Sequence, residues 1–384
     1  MVSLSTDFGR GELRLSEKVR AISWGLVLLT SGAACFGIAV LYSAADGNMD
    51  PWAAKQTVRF AVALILMIGV ALVSIRHWFR FAYWAYAVGL ALVIAVDLRG
   101  FVGMGAQRWI DLGVIQLQPS ELMNVAMVLA LARYFHRLSD EDVGRIRYWV
   151  VPALMVLVPA ALVLKQPDLG TAAMLLMGGG VLFFLAGMPL RFLLSAVIAV
   201  AAALPAIWHF LRDYQKNRIY TFLDPDSDPL GAGYHILQSK IALGSGGLFG
   251  KGFLQGSQSH LSFLPEKQTD FIFTTLAEEF GLVGGLGLLT LYTLIIVYGF
   301  AIALRSRNHF GRLLGLGIIT NFFLYVFINT GMVMGLIPVV GVPLPLISYG
   351  GTAMLAVMLG FGLVINVGVH RDTRLNRSGE SRPG

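Results

Sequence analysis

The sequence has little cysteine and little charge, and each scarcity excludes a class of protein. Its 384 residues include one cysteine, Cys35, so neither an internal disulfide framework nor a cysteine-based zinc site can form within the chain. Charged residues make up 13% of the chain, about half the share of a soluble domain, against 56% apolar residues. The seven histidines show no metal-ligand spacing. These shortages argue against an ordinary soluble enzyme.

Long apolar runs fill most of the chain. They are roughly 17 to 25 residues long, which is the length of helix that crosses about 30 Å of hydrocarbon. The first run is too long for a signal peptide and lacks a small-residue cleavage site. The sequence therefore predicts an all-α polytopic membrane protein with about ten transmembrane helices. The predicted spans cover residues 21–43, 57–75, 81–97, 121–136, 149–164, 169–187, 190–211, 271–303, 311–337 and 347–368.

The formal net charge of +7 comes from short basic clusters between the apolar runs. Lys and Arg favour the cytoplasmic side of a membrane, so these clusters predict cytoplasmic N- and C-termini and indicate no nucleic acid partner. We expect a cytoplasmic N-terminal segment at 1-20, a transmembrane domain at 21-370 and a cytoplasmic disordered tail at 371-384.

One predicted extracytoplasmic connection is long and covers residues 212-270. A compact protein rarely keeps so long a loop without a function. Residues 234–243, YHILQSKIAL, predict a short amphipathic helix on the membrane surface. The loop also contains GLFGKG, which is not a nucleotide phosphate loop because Lys251 is followed by Gly252 instead of Ser or Thr. No nucleophile elbow or Ser-His-Asp pattern is present.

The unusual polar residues fall on the predicted outer side. Ionisable groups at a membrane are functional candidates by default. The candidates are Arg108 in GAQRWIDLG, Glu121 in QPSELMN, Lys165 and Asp168 in LKQPDLGTA, and Lys240, Glu266 and Asp270 in the long loop.

Each candidate also has a structural interpretation. Glu121 and Asp270 stand where a helix begins, and an acid favours that end of the helix dipole. Lys165 and Asp168 can form a solvated turn pair, and Arg108 beside a tryptophan can anchor the interface. The residues alone leave both interpretations open.

The stretch FLPEKQTDFIFTTLAEEFG places acids at the start of a long apolar helix. Residues 271–304 would form a helix of roughly 50 Å, which exceeds the hydrocarbon thickness. The helix is therefore expected either to project outward or to break, at Gly284-Gly285. Glu278 and Glu279 cannot share one helical face with Asp270. Asp270 then lies at the outer interface, which suits chemistry on a head group better than ion coupling at mid-membrane.

Six sequence pieces resemble the SEDS family (shape, elongation, division and sporulation proteins), and within it the RodA rod-shape-determining branch. They occur in the family's order and span most of the chain. The pieces are GAQRWIDLG, QPSEL, PDLGTA, NRIYTFLDPDSDPLGAGYHILQSKIALGSGGLFGKGF, FLPEKQTDFIFTTLAEEFG and PLPLISYGGTAML.

The resemblance implies a ten-helix peptidoglycan glycosyltransferase that polymerises lipid II on the outer face of the cytoplasmic (inner) membrane. It implies that Asp270, in EKQTDF, is the catalytic residue and that Glu121 corresponds to the glutamate of the family's PSE motif. Many relatives have a lysine where this chain has Asn124. The implied partners are lipid II and undecaprenyl pyrophosphate, a class B penicillin-binding protein (a transpeptidase) and other elongation complex proteins.

The resulting hypothesis is an inverting transfer with Asp270 as general base and a sugar 4-hydroxyl as nucleophile. Arg108, Lys165 and Lys240 are the candidates for binding the leaving diphosphate, and Glu121 for orienting the acceptor or one of these cations. No cofactor is assigned, and a divalent cation (Mg²⁺ or Mn²⁺) stays open. Two alternatives remain, a lipid II flippase and a non-catalytic scaffold for a transpeptidase.

Overall fold

The structure is a computed structural model that describes residues 14–103, 106–111, 116–210, 212–225, 232–256 and 266–376. Most of the predicted N-terminal segment 1-20 and the end of the predicted tail 371-384 lie outside the described residues. So do two stretches of the long loop, residues 226–231 and 257–265.

Helices dominate the described chain, and their positions follow the predicted apolar runs closely. The helices are α1 (Leu15–Ala21), α2 (Trp24–Ala44), α3 (Ala53–Leu72), α4 (Ile75–Arg99), α5 (Pro119–Arg137), α6 (Asp140–Val143), α7 (Val150–Lys165), α8 (Leu169–Leu185), α9 (Leu190–Phe210), α10 (Asp213–Leu223), α11 (Ala232–Ser245), α12 (Ile272–Leu304), α13 (His309–Val333) and α14 (Gly351–Val369). A 3₁₀ turn, Ile146–Trp149, precedes α7.

Seven helices of the described chain are long and apolar enough to cross a membrane: α2, α3, α4, α12, α13, α14, and α7 with the turn before it. Two shorter apolar helices are α8 and the first part of α9. The chain is thus a multi-pass helical membrane protein. The count of ten spans stays a prediction, because it also needs α5, which carries more polar residues.

The core of the bundle lies at α13 and α14. In the most apolar 18-residue stretch of each helix, 78% of α13 and 72% of α14 is buried inside the protein, against 22% of α4. Helices that expose most of their apolar surface face lipid in a membrane protein, whereas buried ones can hold polar groups that pair with each other. The polar side chains Asn321, Tyr325 and Asn329 of α13 are all buried.

A small antiparallel sheet, which the sequence analysis did not anticipate, lies between α4 and α5. Its strands are β1 (Phe101–Gly103), β2 (Ala106–Asp111) and β3 (Gln116–Leu117), in the order β1-β2-β3. In β2, Trp109 pairs with Phe101 and Ile110 pairs with Leu117. The sheet places Arg108, on its central strand, near the start of α5.

The long helix α12 breaks at Gly281, which has φ 65° and ψ −160°. Of the two predicted alternatives, projection or a break, the structure shows a break, and its predicted position at Gly284-Gly285 is wrong. The carbonyl groups of Glu278 and Glu279 accept hydrogen bonds from Lys251 N (3.0 Å) and Gly252 N (3.0 Å).

Beyond the break, Leu282 N and Val283 N donate to Gly247 O (3.0 Å) and Leu248 O (3.1 Å). The glycine-rich loop of residues 246–252 thus satisfies the backbone groups that the interrupted helix leaves open. The loop fixes the break at this glycine.

The part of the long loop that is described contributes α10 and α11. Helix α11 confirms the predicted short helix, and it packs against the bundle: the Ser239 hydroxyl is 3.0 Å from Thr274 Oγ1 and donates to Val333 O (2.9 Å). Leu237 and Ile241 remain about half exposed on its other side.

Candidate functional site

Asp270 lies in a tight turn that precedes α12. Its carbonyl oxygen accepts a hydrogen bond from Asn329 Nδ2 of α13 (2.9 Å), which also donates to Val342 O (2.7 Å). A Cβ placed on Gly341, which has φ +76°, would lie 3.4 Å from Asp270 Oδ2. A glycine at that position therefore leaves room beside the carboxylate and adopts a backbone conformation that other residues avoid.

The residues before Asp270 are fixed to the segment that precedes α14. The Ser348 hydroxyl donates to Thr269 O (2.6 Å), and Tyr349 N donates to Gln268 O (2.8 Å). Thr269 Oγ1 in turn donates to Glu266 Oε2 (2.8 Å). This turn joins EKQTD and LISYGG, two of the pieces that carry the family resemblance.

Burial, followed by the neighbouring charge of Glu266, raises the pKa of Asp270 to about 6. The charge of Asp168 acts in the same direction, whereas the charges of Arg218 and Arg108 lower the pKa of Asp270. The structure thus gathers the predicted Asp270, Glu266, Asp168 and Arg108 into one electrostatic cluster. A carboxyl group with a pKa near neutral is well suited to accept a proton.

Asp168 is the buried cap of α8 and the partner of Arg108. Its carboxylate accepts from Thr171 N (3.1 Å), Thr171 Oγ1 (3.0 Å) and Gln118 Nε2 (3.0 Å), and it lies 4.0 Å from Arg108 Nε. Arg108 also donates to Pro167 O. With its side chain 27% exposed, Arg108 remains accessible to a ligand, whereas Asp168, with 3%, is shielded. Direct contact of Asp168 with a substrate stays a prediction.

Glu121 lies in the first turn of α5, and its side chain is buried in the bundle. The Tyr325 hydroxyl donates to Glu121 Oε2 (2.8 Å), and Asn321 Nδ2 donates to Asn124 Oδ1 (2.8 Å). These four polar residues line a cavity of about 40 Å³ between α5, α13 and α14, whose remaining wall is apolar. Asn124 is thus part of a neutral amide pair with Asn321.

The structure does not bring Lys165 and Lys240 into ion pairs with this cluster. Lys165 binds Asp97 of α4 at the surface, instead of the predicted turn partner Asp168. Lys240 is exposed and lies against Gly335, the glycine with φ +71° that follows the end of α13. Substrate binding by either lysine stays a prediction.

The two acids of AEEFG support the break in α12. The carboxylate of Glu278 is fully buried and binds Lys251 Nζ of the glycine-rich loop (2.6 Å). Glu279 accepts a hydrogen bond from Ser43 of α2. The two acids thus contact different elements, the glycine-rich loop and α2.

Sequence reasoning missed two residues of this region, Arg218 and Tyr325. Arg218 of α10 donates to Val339 O (3.1 Å), and its charge acts on Asp270. Arg218 stands in the NRIY piece, so the resemblance carried a signal, whereas Tyr325 lies in an apolar run without one. In the described parts of the chain, no group of three or more His, Cys, Asp or Glu side chains could hold a metal ion.

Comparisons with known proteins identify the family of the chain. The profile of the FTSW_RODA_SPOVE family, described as cell cycle protein, matches residues 21–373. Peptidoglycan glycosyltransferase MrdB of Escherichia coli (strain K12) is 45% identical over 347 residues, which cover 90% of this chain and 93% of that protein. Stage V sporulation protein E of Bacillus subtilis (strain 168) is 33% identical over 358 residues, which cover 89% of this chain and 95% of that protein.

Two solved structures share the fold. One, from work on how a peptidoglycan synthase complex coordinates polymerization and crosslinking, has a TM-score of 0.79 and 35% identity and covers 91% of this chain and 98% of that one. The crystal structure of the rod shape determining protein RodA of Thermus thermophilus has a TM-score of 0.69 and 32% identity, over 91% of this chain and 97% of that one. The predicted RodA-type resemblance is confirmed, and the chain belongs to the FtsW/RodA/SpoVE family.

Proposed function

We propose that this protein is a peptidoglycan glycosyltransferase that polymerises lipid II into glycan strands during cell elongation and shape maintenance. The observation that supports this most is the position of Asp270. Its carboxyl group has a pKa raised to about 6 and stands in a turn outside the spanning part of α12, among Arg108, Arg218 and Glu266. The close relative from Escherichia coli carries the same activity in its name.

In the proposed reaction, Asp270 accepts the proton of the sugar 4-hydroxyl of one lipid-linked disaccharide. The freed oxygen forms a bond to the anomeric carbon of the second substrate, while the bond from that carbon to the diphosphate oxygen breaks. Undecaprenyl pyrophosphate leaves with the electron pair, and the anomeric centre inverts. Positioned proton transfer of this kind contributes about 10²–10⁴-fold to the rate.

Cations near Asp270 would bind the leaving diphosphate. Arg108 is the best placed of the predicted candidates, because its guanidinium is partly exposed and is oriented by Asp168. Arg218, whose charge also acts on Asp270, is a further candidate for binding the diphosphate. Lys165 and Lys240 need side-chain movement to take part.

The site is proposed to face the extracytoplasmic side of the cytoplasmic (inner) membrane, with both termini in the cytoplasm. The proposed partner is a class B penicillin-binding protein, which crosslinks the new strands. Support comes from the structural similarity to a chain of a peptidoglycan synthase complex. The apolar surface between helices would hold the polyprenyl tails of the two substrates.

The decisive experiment incubates the purified protein and its transpeptidase partner with lipid II and separates the products on a gel. Wild type should give glycan ladders, and Asp270→Asn should give none while retaining its thermal unfolding temperature and its binding to the partner. Polymerisation by Asp270→Asn at the wild-type rate would eliminate Asp270 as the base. A wild-type protein that makes no glycan but moves lipid II across a liposome membrane would be a flippase.

A further inference from the structure

Four buried polar side chains connect α5 and α13 behind the proposed site. Asn321 and Tyr325 stand one turn apart on α13, and Glu121 and Asn124 stand one turn apart on α5. All four are at least nine-tenths buried. Buried polar groups in a membrane bundle are costly unless they pair, so their grouping needs a reason.

The hydrogen bonds of this group all run toward the carboxylate. Asn321 Nδ2 donates to Asn124 Oδ1 (2.8 Å), Asn124 Nδ2 lies 3.5 Å from Tyr325 Oη, and the Tyr325 hydroxyl donates to Glu121 Oε2 (2.8 Å). Among the residues that the structure describes, Tyr325 provides the one side-chain hydrogen bond to Glu121. A buried polar group that loses its hydrogen-bond partner costs free energy.

Glu121 has space beside it, because the same four residues line the cavity of about 40 Å³. A cavity of that size holds roughly two or three water molecules. Without the Tyr325 donor, the Glu121 side chain can therefore turn into the cavity. The phenol hydroxyl fixes the direction of the carboxylate.

Glu121 is linked to the proposed site through the start of α5. Glu121 N donates to the backbone carbonyl of Gln118 (3.3 Å). Gln118, which precedes α5, donates to Asp168, and Asp168 in turn orients Arg108. A displacement of Glu121 would therefore change the electrostatic environment of the reacting groups.

We propose that Tyr325 is a positioning residue, which acts on the reaction by holding the Glu121 carboxylate, and that the Asn124–Asn321 pair holds the phenol of Tyr325. This inference rests on the proposed glycosyltransferase activity. It assigns a function to the buried amide pair of Asn124 and Asn321.

The test begins with Tyr325→Phe, which removes a single oxygen atom. We expect kcat for glycan synthesis from lipid II to fall about tenfold, as when a buried polar group loses its hydrogen-bond partner. KM should stay within about twofold, because ground-state binding is unchanged. The matched control is Tyr292→Phe: Tyr292 is equally buried but donates to Pro345 O (2.6 Å), and its kcat should stay within about twofold.

A double-mutant cycle with Glu121→Gln separates positioning from simple packing. If Tyr325 acts through the Glu121 charge, Tyr325→Phe should reduce kcat by no more than about threefold in the Glu121→Gln background. An independent tenfold loss in that background would overturn the inference. Long incubations keep slow variants measurable.

A second cycle uses Asn321→Ala. Its loss of kcat should be smaller than that of Tyr325→Phe, and the double variant should match Tyr325→Phe alone. If the wild type makes glycan ladders and Tyr325→Phe is fully active, this inference is wrong, whereas the proposed glycosyltransferase activity is unaffected. A wild type without ladders would overturn the glycosyltransferase, and this inference with it.

Discussion

The two parts of α12 on either side of Gly281 are built differently. Residues 272–279 are buried on every face, including Glu278 and Glu279. In residues 282–304 burial is periodic: Leu288, Tyr292 and Ile295 are buried, while the faces between them are exposed. The first part is an internal helix, and the second is a membrane helix with one face on the protein.

The difference separates two tasks within one helix. The short upper part of α12, residues 272–279, directly follows the turn with Asp270. Side chains of α2, α11 and the glycine-rich loop contact it. The long lower part (residues 282–304) packs along one face, where the Tyr292 hydroxyl also donates to Pro345 O (2.6 Å). Changes in the upper part should therefore affect activity and stability together, whereas changes on the exposed face of the lower part should affect neither.

The largest effect is expected from Gly281→Ala. Gly281 has φ and ψ values that are open essentially to glycine alone, and an added Cβ would lie 2.3 Å from Gly250 N. The break cannot form without moving the glycine-rich loop, so we expect loss of folded protein in detergent, measured by size-exclusion chromatography. The matched control is Gly287→Ala in the lower part, where an added Cβ meets no atom within 4 Å. Equal yields of the two variants would show that the break is not required.

The next effect concerns the pair Lys251–Glu278. Lys251→Met leaves the fully buried charge of Glu278 without this partner, which typically costs about 3–5 kcal/mol. Glu278→Gln leaves Lys251, whose side chain is 28% exposed, so its loss of stability should be smaller. Both variants should lower the thermal unfolding temperature. The exposed pair Arg307–Asp372 provides the control, since Arg307→Gln should change stability by less than about 1 kcal/mol.

The exchanged variant Lys251→Glu with Glu278→Lys sharpens this test. If the attraction between the two groups matters, the exchange should recover part of the stability that either single change removes. The single charge reversals Lys251→Glu and Glu278→Lys serve as references. If the double variant loses as much stability as these two reversals added together, the groups around the pair, and not the attraction within it, determine the stability of the break.

The pH dependence of the reaction should follow Asp270. Its pKa is raised from 3.8 to about 6, so its carboxylate, the form that accepts a proton, is lost as the pH falls through about 6. We expect kcat/KM to fall roughly tenfold per pH unit below that value. The measurement is the initial rate of glycan synthesis between pH 5 and pH 8. A flat profile would show that Asp270 does not titrate in this range.

Sequence alone predicted the helices well, because the length and hydropathy of a membrane span are local properties. It placed the break of α12 at the wrong glycines, since the position depends on a loop about 30 residues earlier. The solvated Lys165–Asp168 turn pair, one of the interpretations that the residues left open, is not observed, because Lys165 binds Asp97 of α4. Asp270, Arg108 and Glu121 were found through motifs, but Tyr325 was not, because a tyrosine in an apolar run gives no signal before its neighbours are known.

The smallest effect is expected on the lipid-facing side of the lower part. Val297 is 60% exposed there, and Val297→Ala should change the unfolding free energy by less than about 0.5 kcal/mol and leave glycan synthesis unchanged. Leu276, in the upper part, has no exposed surface, and Leu276→Ala should cost about 2–5 kcal/mol through the cavity it leaves. Thermal unfolding in the same detergent compares the two. Similar losses for both variants would mean that the exposed face is covered by a partner or by a second copy of the chain. In that case the burial of side chains in a single chain would not distinguish the internal upper part of α12 from its lipid-facing lower part.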